Sequence, residues 1–156
     1  MAELSHVKAD GTVQMVDVGG KASTSRRAVA AGFLRWTPAH REAVGSLPKG
    51  DALTIAQVAG IQGGKRCSEL IPLCHPLPLS LLDVRLQVEE SGVRIEAEAR
   101  TDGPTGVEME AYTAVVVAGI TLIDMLKGVS PDLVLEDVRL LEKTGGKTPW
   151  KRESES

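Results

Sequence analysis

The feature that most constrains the fold is a pair of alternating segments at residues 82–89 and 93–100. In each segment apolar side chains occupy every second position, and polar or charged side chains occupy the positions between them. A period of two is that of a β-strand with one buried face, and Ser91-Gly92 between the segments is typical of a turn. We therefore predict an antiparallel hairpin whose apolar face must be covered by another layer of the protein.

An apolar stretch at residues 107–127 predicts the covering layer. Its middle is apolar on nearly every side of a helix, which is typical of a helix that is buried on most sides. Gly128 and Pro131 follow it and are common helix-ending residues. The longest unbroken apolar run, residues 114–120, is much shorter than the roughly 18 residues that a membrane span needs. We expect one long helix packed on the sheet.

Two shorter helices are predicted before the hairpin. Thr37 followed by Pro38 is a typical helix start, and it predicts a helix over residues 38–47. Asp51 is a second capping residue, and the apolar pattern of the helix that it begins reaches Ile61.

A further strand is predicted at residues 133–141. Residues 27–36 are compatible with a strand or a helix, and we favour a strand because the helix at residue 38 starts so sharply after them. The order is then strand, two helices, two strands, long helix and strand. Helices packed on one face of an antiparallel sheet belong to the α+β class, and this order predicts a ferredoxin-like sandwich.

The length of 156 residues suits one domain. We expect a flexible N-terminal segment at residues 1–12, a single domain at residues 13–148 and a flexible tail at residues 149–156. A net charge of −3 and an aromatic content of 3% argue against a nucleic-acid-binding surface. The chain starts without a basic segment followed by an apolar one, so no signal peptide is expected. These features favour a soluble cytoplasmic protein.

Two Gly-Gly-Lys triplets, at residues 63–65 and 145–147, are candidates for anion binding. Glycine lets the backbone approach phosphate oxygens, and lysine supplies a positive charge. Neither triplet completes the phosphate-binding loop of NTPases, because Ala59 and Leu141 occupy the positions of the first glycine in that motif. From residue type alone, an anion site and an ordinary helix end or surface turn stay equally open for each triplet.

Residues 72–76, Pro-Leu-Cys-His-Pro, form the most unusual stretch. Prolines on both sides restrict the loop, so it can hold Cys74 and His75 in a defined position. A hydrogen-bonded loop histidine is the simpler interpretation, and a functional histidine is the alternative. We expect no metal, because zinc needs more ligands at a better spacing and Cys67 is a weak third candidate.

Charged residues at both ends of the predicted long helix form a third group of candidates. Glu108 and Glu110 fall in its first turn, where the helix dipole alone favours acidic residues. Asp124 and Lys127 are neighbours on one face, either as a weak surface pair or as an acid–base pair held in a cleft. The apolar residues around Asp124 favour the cleft.

These two ends are too far apart to act on one small substrate within a single chain. Glu110 and Asp124 are fourteen residues apart, which corresponds to about 21 Å of straight helix. We therefore predict that the active site lies at a subunit interface and is completed by a second copy of the chain.

Several segments resemble, in their order along the chain, those of the MoaC family. The most specific are Leu-Cys-His-Pro at residues 73–76 and Gly-Val-Glu-Met-Glu at residues 106–110. The resemblance extends from about Leu4 to Lys147. It includes the further segments Met15-Val16-Asp17-Val18, Lys49-Gly50-Asp51, Ala59-Gly60-Ile61-Gln62, Asp124-Met125 and residues 140–147.

The resemblance implies an activity and an assembly. Members of the family are cyclic pyranopterin monophosphate synthases, which convert 3′,8-cyclo-7,8-dihydro-GTP to cyclic pyranopterin monophosphate. They release diphosphate in this early step of molybdenum cofactor biosynthesis, a lyase reaction of the phosphorus–oxygen type. No metal or organic cofactor, nucleic acid or membrane is expected. The family is a ferredoxin-like domain assembled as a homohexamer, a trimer of dimers, with active sites between subunits.

The resemblance also implies roles for single residues. Asp124 resembles the catalytic aspartate of the family and Lys127 its lysine partner, both serving proton transfer. Basic residues would hold the triphosphate and stabilise the departing diphosphate. The chain departs from the family at Cys67, for which we expect no function, and at Pro149-Trp150 in the tail. The substrate-binding positions correspond to Leu73, Cys74, His75, Glu108, Met109 and Glu110, and the basic ones to Lys49, Lys147 and Arg26.

Two other functions are compatible with a ferredoxin-like fold. A non-catalytic ligand-binding module predicts that Asp124→Asn leaves the function intact, whereas a synthase would lose turnover. An RNA-binding domain of the same topology needs paired aromatic residues on a central strand, and the predicted hairpin strands have none.

Overall fold

The computed structural model describes residues 4–154 and has the predicted order of strands and helices. The strands are β1 (Thr24–Arg35), β2 (Leu79–Val88), β3 (Gly92–Gly103), β4 (Val134–Thr144) and β5 (Trp150–Lys151). The helices are α1 (Pro38–Ala43), α2 (Ala52–Lys65), α3 (Cys67–Leu70) and α4 (Glu108–Leu126). The strands form one antiparallel sheet in the order β2-β3-β1-β4-β5, with helices on one face. The predicted α+β, ferredoxin-like class is confirmed.

The hairpin predicted from the alternating segments is confirmed, because β2 pairs with β3 in antiparallel register. Val84 and Ile95 on its apolar face are fully buried. On its charged face Arg85 lies opposite Glu96, and the Nη2 atom of Arg85 donates to Oε1 of Glu96 at 2.7 Å. Both faces therefore have the character that the period of two predicts.

The long helix α4 forms the centre of the core. Its small residues Ala114 and Ala118 are fully buried, which lets the helix lie close to its neighbours. A Cβ atom at Gly63 of α2 would lie 2.6 Å from the side chain of Val117, so this glycine is needed for close packing of α2 on α4. Helix α4 is long and apolar enough to cross a membrane, but more than half of it is buried in the core, as in the central helix of a globular domain.

The first Gly-Gly-Lys triplet lies inside α2, which excludes one of the two anion sites that the sequence left open. Gly63 and Gly64 are buried, and a Cβ atom at Gly64 would lie 2.5 Å from the side chain of Leu82. Helical backbone packed against neighbouring side chains leaves no loop to surround a phosphate.

Three local features differ from the sequence prediction. The helix predicted over residues 38–47 ends at Ala43, where a turn begins with the amide of Ser46 donating to the carbonyl of Ala43. Helix α3 and strand β5 were not predicted. The short β5 lies within the tail that we expected to be flexible, and it pairs with β4. The flexible segments expected at the two termini extend into residues 1–3 and 155–156, which lie outside the described residues.

Candidate active site

The N-terminal end of α4 faces the loop at residues 72–76 across a pocket of about 250 Å³. His75 is fixed in this pocket because its Nε2 atom donates to the carbonyl of Val16 at 2.5 Å. The resemblance implied six substrate-binding residues besides the basic ones, and the structure places all six around this pocket. They are Leu73, Cys74, His75, Glu108, Met109 and Glu110.

The Glu110 side chain is the most enclosed carboxyl group of this pocket, since only 5% of the residue is exposed. Burial raises the pKa of Glu110, and the negative charge of Glu108 raises it further. Its own backbone N–H group acts in the opposite direction. The carboxyl group therefore keeps its proton to a higher pH than an ordinary glutamate does. In that form it can donate a hydrogen bond to a ligand.

The two cysteines near this pocket are weak nucleophiles. Burial raises the pKa of the Cys67 thiol to about 12, and it also raises the pKa of Cys74. Both side chains are therefore neutral thiols at physiological pH. Because the thiolate is the reactive form, neither is expected to act as a nucleophile. Within residues 4–154, no group of three histidine, cysteine, aspartate or glutamate residues is placed to hold a metal ion.

A second, larger cleft of about 580 Å³ adjoins this pocket. The two share Lys21, Thr105, Gly106 and Glu108 as lining residues, so a single extended ligand can enter both. Among the described residues that line the larger cleft, Glu108 is the one carboxylate, and it pairs with Lys143 at 3.4 Å. The cleft is otherwise strongly basic, and its cationic side chains are Lys21, Arg26, Arg27, Lys143 and Lys147.

The second Gly-Gly-Lys triplet forms one wall of this basic cleft. Gly145 and Gly146 have φ angles of 84° and 71°, in the left-handed region that favours glycine. The guanidinium group of Arg26 lies directly beside Gly146 and donates through Nε to the carbonyl of Gly103 at 3.0 Å. A left-handed glycine loop next to a fixed guanidinium favours the anion-binding alternative for this triplet.

Sequence reasoning missed three members of the basic cleft, Lys21, Arg27 and Lys143. Lys143 was within reach of the sequence, because it lies four residues before Lys147 in a segment that resembles the MoaC family. Pairing of β4 with β1 places Lys143 opposite Ala28 and so carries it to the edge of the cleft. Lys21 precedes β1 in a segment without regular structure, and no local pattern indicated its position.

The C-terminal end of α4 carries the other candidate group. The Nζ atom of Lys127 lies 2.6 Å from Oδ1 of Asp124, and Nζ of Lys49 donates to the Asp124 carbonyl at 3.2 Å. The hydrogen bond and charge of Lys127 lower the pKa of Asp124, and the charge of Lys49 adds to the effect. Asp124 is therefore an anion paired with Lys127 and lying near a second cation, which is an arrangement suited to exchanging a proton with a ligand.

Two expectations about this group are corrected. We expected Asp124 in a cleft, but its side chain is 60% exposed and that of Lys127 is 59% exposed in the single chain. We also grouped Lys49 with Lys147 and Arg26, whereas the structure places Lys49 beside Asp124. Helix α4 is unbroken between the two ends, so the length estimate of about 21 Å applies and the candidates form two separate groups.

Comparisons with known proteins agree with the sequence resemblance. The model of the MoaC family matches residues 15–146. A cyclic pyranopterin monophosphate synthase of Corynebacterium efficiens is 54% identical over 150 residues, which cover 95% of this chain and 97% of the relative. The protein of that name in Oleidesulfovibrio alaskensis is 55% identical over 148 residues, covering 92% and 93%. That of a Roseiflexus species is 49% identical over 152 residues, covering 95% and 96%. The chain belongs to the MoaC family.

Proposed function

We propose that this chain is a cyclic pyranopterin monophosphate synthase of molybdenum cofactor biosynthesis. In this reaction 3′,8-cyclo-7,8-dihydro-GTP is rearranged to cyclic pyranopterin monophosphate, and diphosphate leaves. The observation that carries the proposal is the basic cleft, which opens directly into a pocket lined by His75 and Glu110. A nucleoside triphosphate has the matching shape and charge, with an anionic tail joined to a polar ring system.

The basic cleft would hold the triphosphate. Arg26 and Lys147 meet at the glycine loop, and Lys21 and Lys143 bring further positive charge to the same cleft. Charge-assisted hydrogen bonds of this kind bind phosphate oxygens strongly. The same cations would stabilise the negative charge that develops on diphosphate as the bond to it breaks.

The adjoining pocket would hold the ring system of the substrate. Glu110, whose pKa is raised by burial, can donate a hydrogen bond as a neutral acid. His75 donates through Nε2 to Val16, which leaves Nδ1 as the ring nitrogen available to a ligand. Met109 adds an apolar surface that is partly exposed to the pocket.

Proton transfers during ring opening and reclosure would fall to Asp124 and Lys127, with Lys49 beside them. Because these side chains are exposed in a single chain, we propose that a neighbouring copy covers them and supplies the basic cleft. The proposed assembly is a homohexamer, a trimer of dimers, with active sites between subunits. We propose a cytoplasmic enzyme that acts without a metal or an organic cofactor.

The test is turnover of 3′,8-cyclo-7,8-dihydro-GTP by the purified chain, followed by diphosphate release and by chromatographic detection of the pterin product. We expect one diphosphate for each pterin formed. GTP itself, which lacks the cyclised ring, is the control substrate and should bind in the same cleft without turnover. Binding of the cyclised substrate without any product would contradict the proposal and favour a non-catalytic ligand-binding module.

A further inference from the structure

His40 is a fully buried histidine that belongs to neither candidate group. It lies in the first turn of α1, and its ring contacts the chain that follows α4. The Nδ1 atom lies 3.1 Å from the amide nitrogen of Thr37 and 2.9 Å from its hydroxyl oxygen. The Nε2 atom lies 2.8 Å from the carbonyl oxygen of Ser130. A buried ring with both nitrogens engaged acts as a bridge between two segments of the backbone.

The partners of His40 fix its protonation. The backbone N–H of Thr37 can only donate, so Nδ1 accepts from it and carries no proton. The carbonyl of Ser130 can only accept, so Nε2 carries the proton. His40 is therefore the neutral tautomer with its proton on Nε2. Replacement by an apolar residue would leave the partly buried carbonyl of Ser130 without its donor.

One side of this bridge leads to the end of α4. The amide of Lys127 donates to the carbonyl of Ile123 at 2.8 Å, and that of Val129 donates to Leu126 at 2.9 Å. Ser130 follows directly, so the His40 ring attaches the last turn of α4 to the rest of the fold three residues beyond Lys127. Gly128 lies between Lys127 and Ser130, and a glycine backbone restricts movement of this segment only weakly.

The other side of the ring contacts Thr37 at the start of α1, and this helix leads to the connection that carries Lys49. The carbonyl of His40 accepts from the amide of Val44 at 2.9 Å, where the connection from α1 to α2 begins. Lys49 belongs to this connection, and its Nζ atom donates to the carbonyl of Asp124. His40 is therefore joined through its ring to the segment after α4 and through the backbone of α1 to the connection that carries Lys49.

We propose that His40 is a positioning residue for the reaction: its ring holds the segment after α4 against the start of α1, the helix that leads to Lys49, so that Lys49, Asp124 and Lys127 keep their mutual geometry. The inference rests on the proposed function. Because the side chains of Asp124 and Lys127 are exposed, contacts within the chain hold them weakly, and their placement depends on the backbone. Small displacements of catalytic groups can reduce rates by up to about a hundredfold.

Two substitutions separate the two sides of the ring. Asparagine has a polar atom near the position of Nδ1, so His40→Asn can keep the contact with Thr37 but cannot reach Ser130. Glutamine has an N–H group near the position of Nε2, so His40→Gln can restore the contact with Ser130. Val84→Ala is the control for lost stability, since Val84 is fully buried in β2, which is neither segment of the bridge.

The experiment measures kcat, KM and melting temperature for the three variants and the unchanged chain, with amide exchange of residues 127–133. We expect His40→Asn to lower kcat roughly tenfold or more, with KM within about twofold, and to speed exchange of these amides. His40→Gln should recover most of the kcat. Val84→Ala should lower the melting temperature without lowering kcat.

Two results would overturn the inference. One is a folded His40→Asn protein with unchanged kcat and unchanged exchange. The other is a loss of kcat that Val84→Ala reproduces at the same loss of melting temperature. Failure of the unchanged chain to turn over substrate would instead contradict the proposed function. In that case amide exchange alone decides whether His40 holds the end of α4.

Discussion

The two ends of α4 differ in the way that the chain surrounds them. At the N-terminal end Glu110 is 5% exposed and burial raises its pKa. At the C-terminal end the Asp124 side chain is 60% exposed and the neighbouring Lys127 lowers its pKa. One chain thus encloses the candidate binding pocket but leaves the proposed proton-transfer pair open. A carboxylate that is to work away from water needs a cover, and a second copy of the chain is the cover that we propose.

Removal of the charge at the open end gives the largest expected effect. Asp124→Asn should lower kcat roughly a thousandfold, because general acid–base groups contribute about 10²–10⁴ in rate. The melting temperature should hardly change, since the side chain is exposed and surface ion pairs contribute little to stability. Asp132→Asn, at an exposed aspartate beyond α4, is the control and should keep its turnover. Full turnover by Asp124→Asn would show that the open end takes no part in the reaction.

Mixed oligomers test whether the two ends that form one site belong to different subunits. Asp124→Asn and His75→Ala should each have little activity alone. If each site takes one end from each subunit, about half of randomly formed dimers are hybrids with one intact site, giving about a quarter of wild-type turnover. Coexpression with two different tags and isolation of the hybrids provide the measurement. Sites contained within single chains would give no recovery, since every site would then carry one of the two substitutions.

Charge removal in the basic cleft beside the enclosed pocket should affect binding more than chemistry. Lys147→Ala should raise KM roughly tenfold or more, because a hydrogen bond to a charged group is worth about 1.5–3 kcal/mol. The increase in KM should be smaller at high salt, because salt screens the attraction between Lys147 and the phosphates that the substitution removes. Lys65→Ala is the matched control, since Lys65 is exposed at the end of α2 outside the cleft. Equal effects of the two substitutions would contradict a triphosphate site in the basic cleft.

The enclosed end was easier to predict from the sequence than the open one. The segments around His75 and Glu110 each have a local pattern, and the fold brings them into one pocket. The alternation that predicts β2 and β3 also reports the buried face directly, because burial imposes the period of two.

The exposure of Asp124 could not be predicted from its neighbours. Ile123 and Met125 are apolar because the other side of α4 packs on the sheet, and this says nothing about the side that Asp124 occupies. The position of Lys49 depends on where the α1–α2 connection meets α4, which is a contact between residues that are distant in sequence. The position of Lys21 in the cleft likewise depends on long-range contacts, so no periodic pattern in the sequence indicates it. Long-range contacts of this kind arise from the packed fold rather than from local sequence.

The smallest predicted effect concerns stability, and it has a defined dependence on pH at the enclosed end. Below the ordinary glutamate pKa of 4.5, Glu110 is mostly protonated in the folded and unfolded chains alike. As the pH rises above 4.5, the unfolded chain ionises while the folded chain keeps its proton, so the free energy of unfolding falls until the pH passes the raised pKa. Glu110→Gln cannot ionise, so its melting temperature should match that of the unchanged chain near pH 4 and exceed it increasingly towards neutral pH.

The partner measurement is Asp124→Asn, for which the sign is opposite: a lowered pKa stabilises the folded chain above 3.8, and that stability is lost as the pH falls through the lowered pKa. Because Asp124 is exposed, its curve should stay nearly flat. The measurement is the melting temperature of both variants and of the unchanged chain between pH 3.5 and pH 8. If Glu110→Gln did not become more stable than the unchanged chain as the pH rose, the proposed difference between the two ends would be wrong.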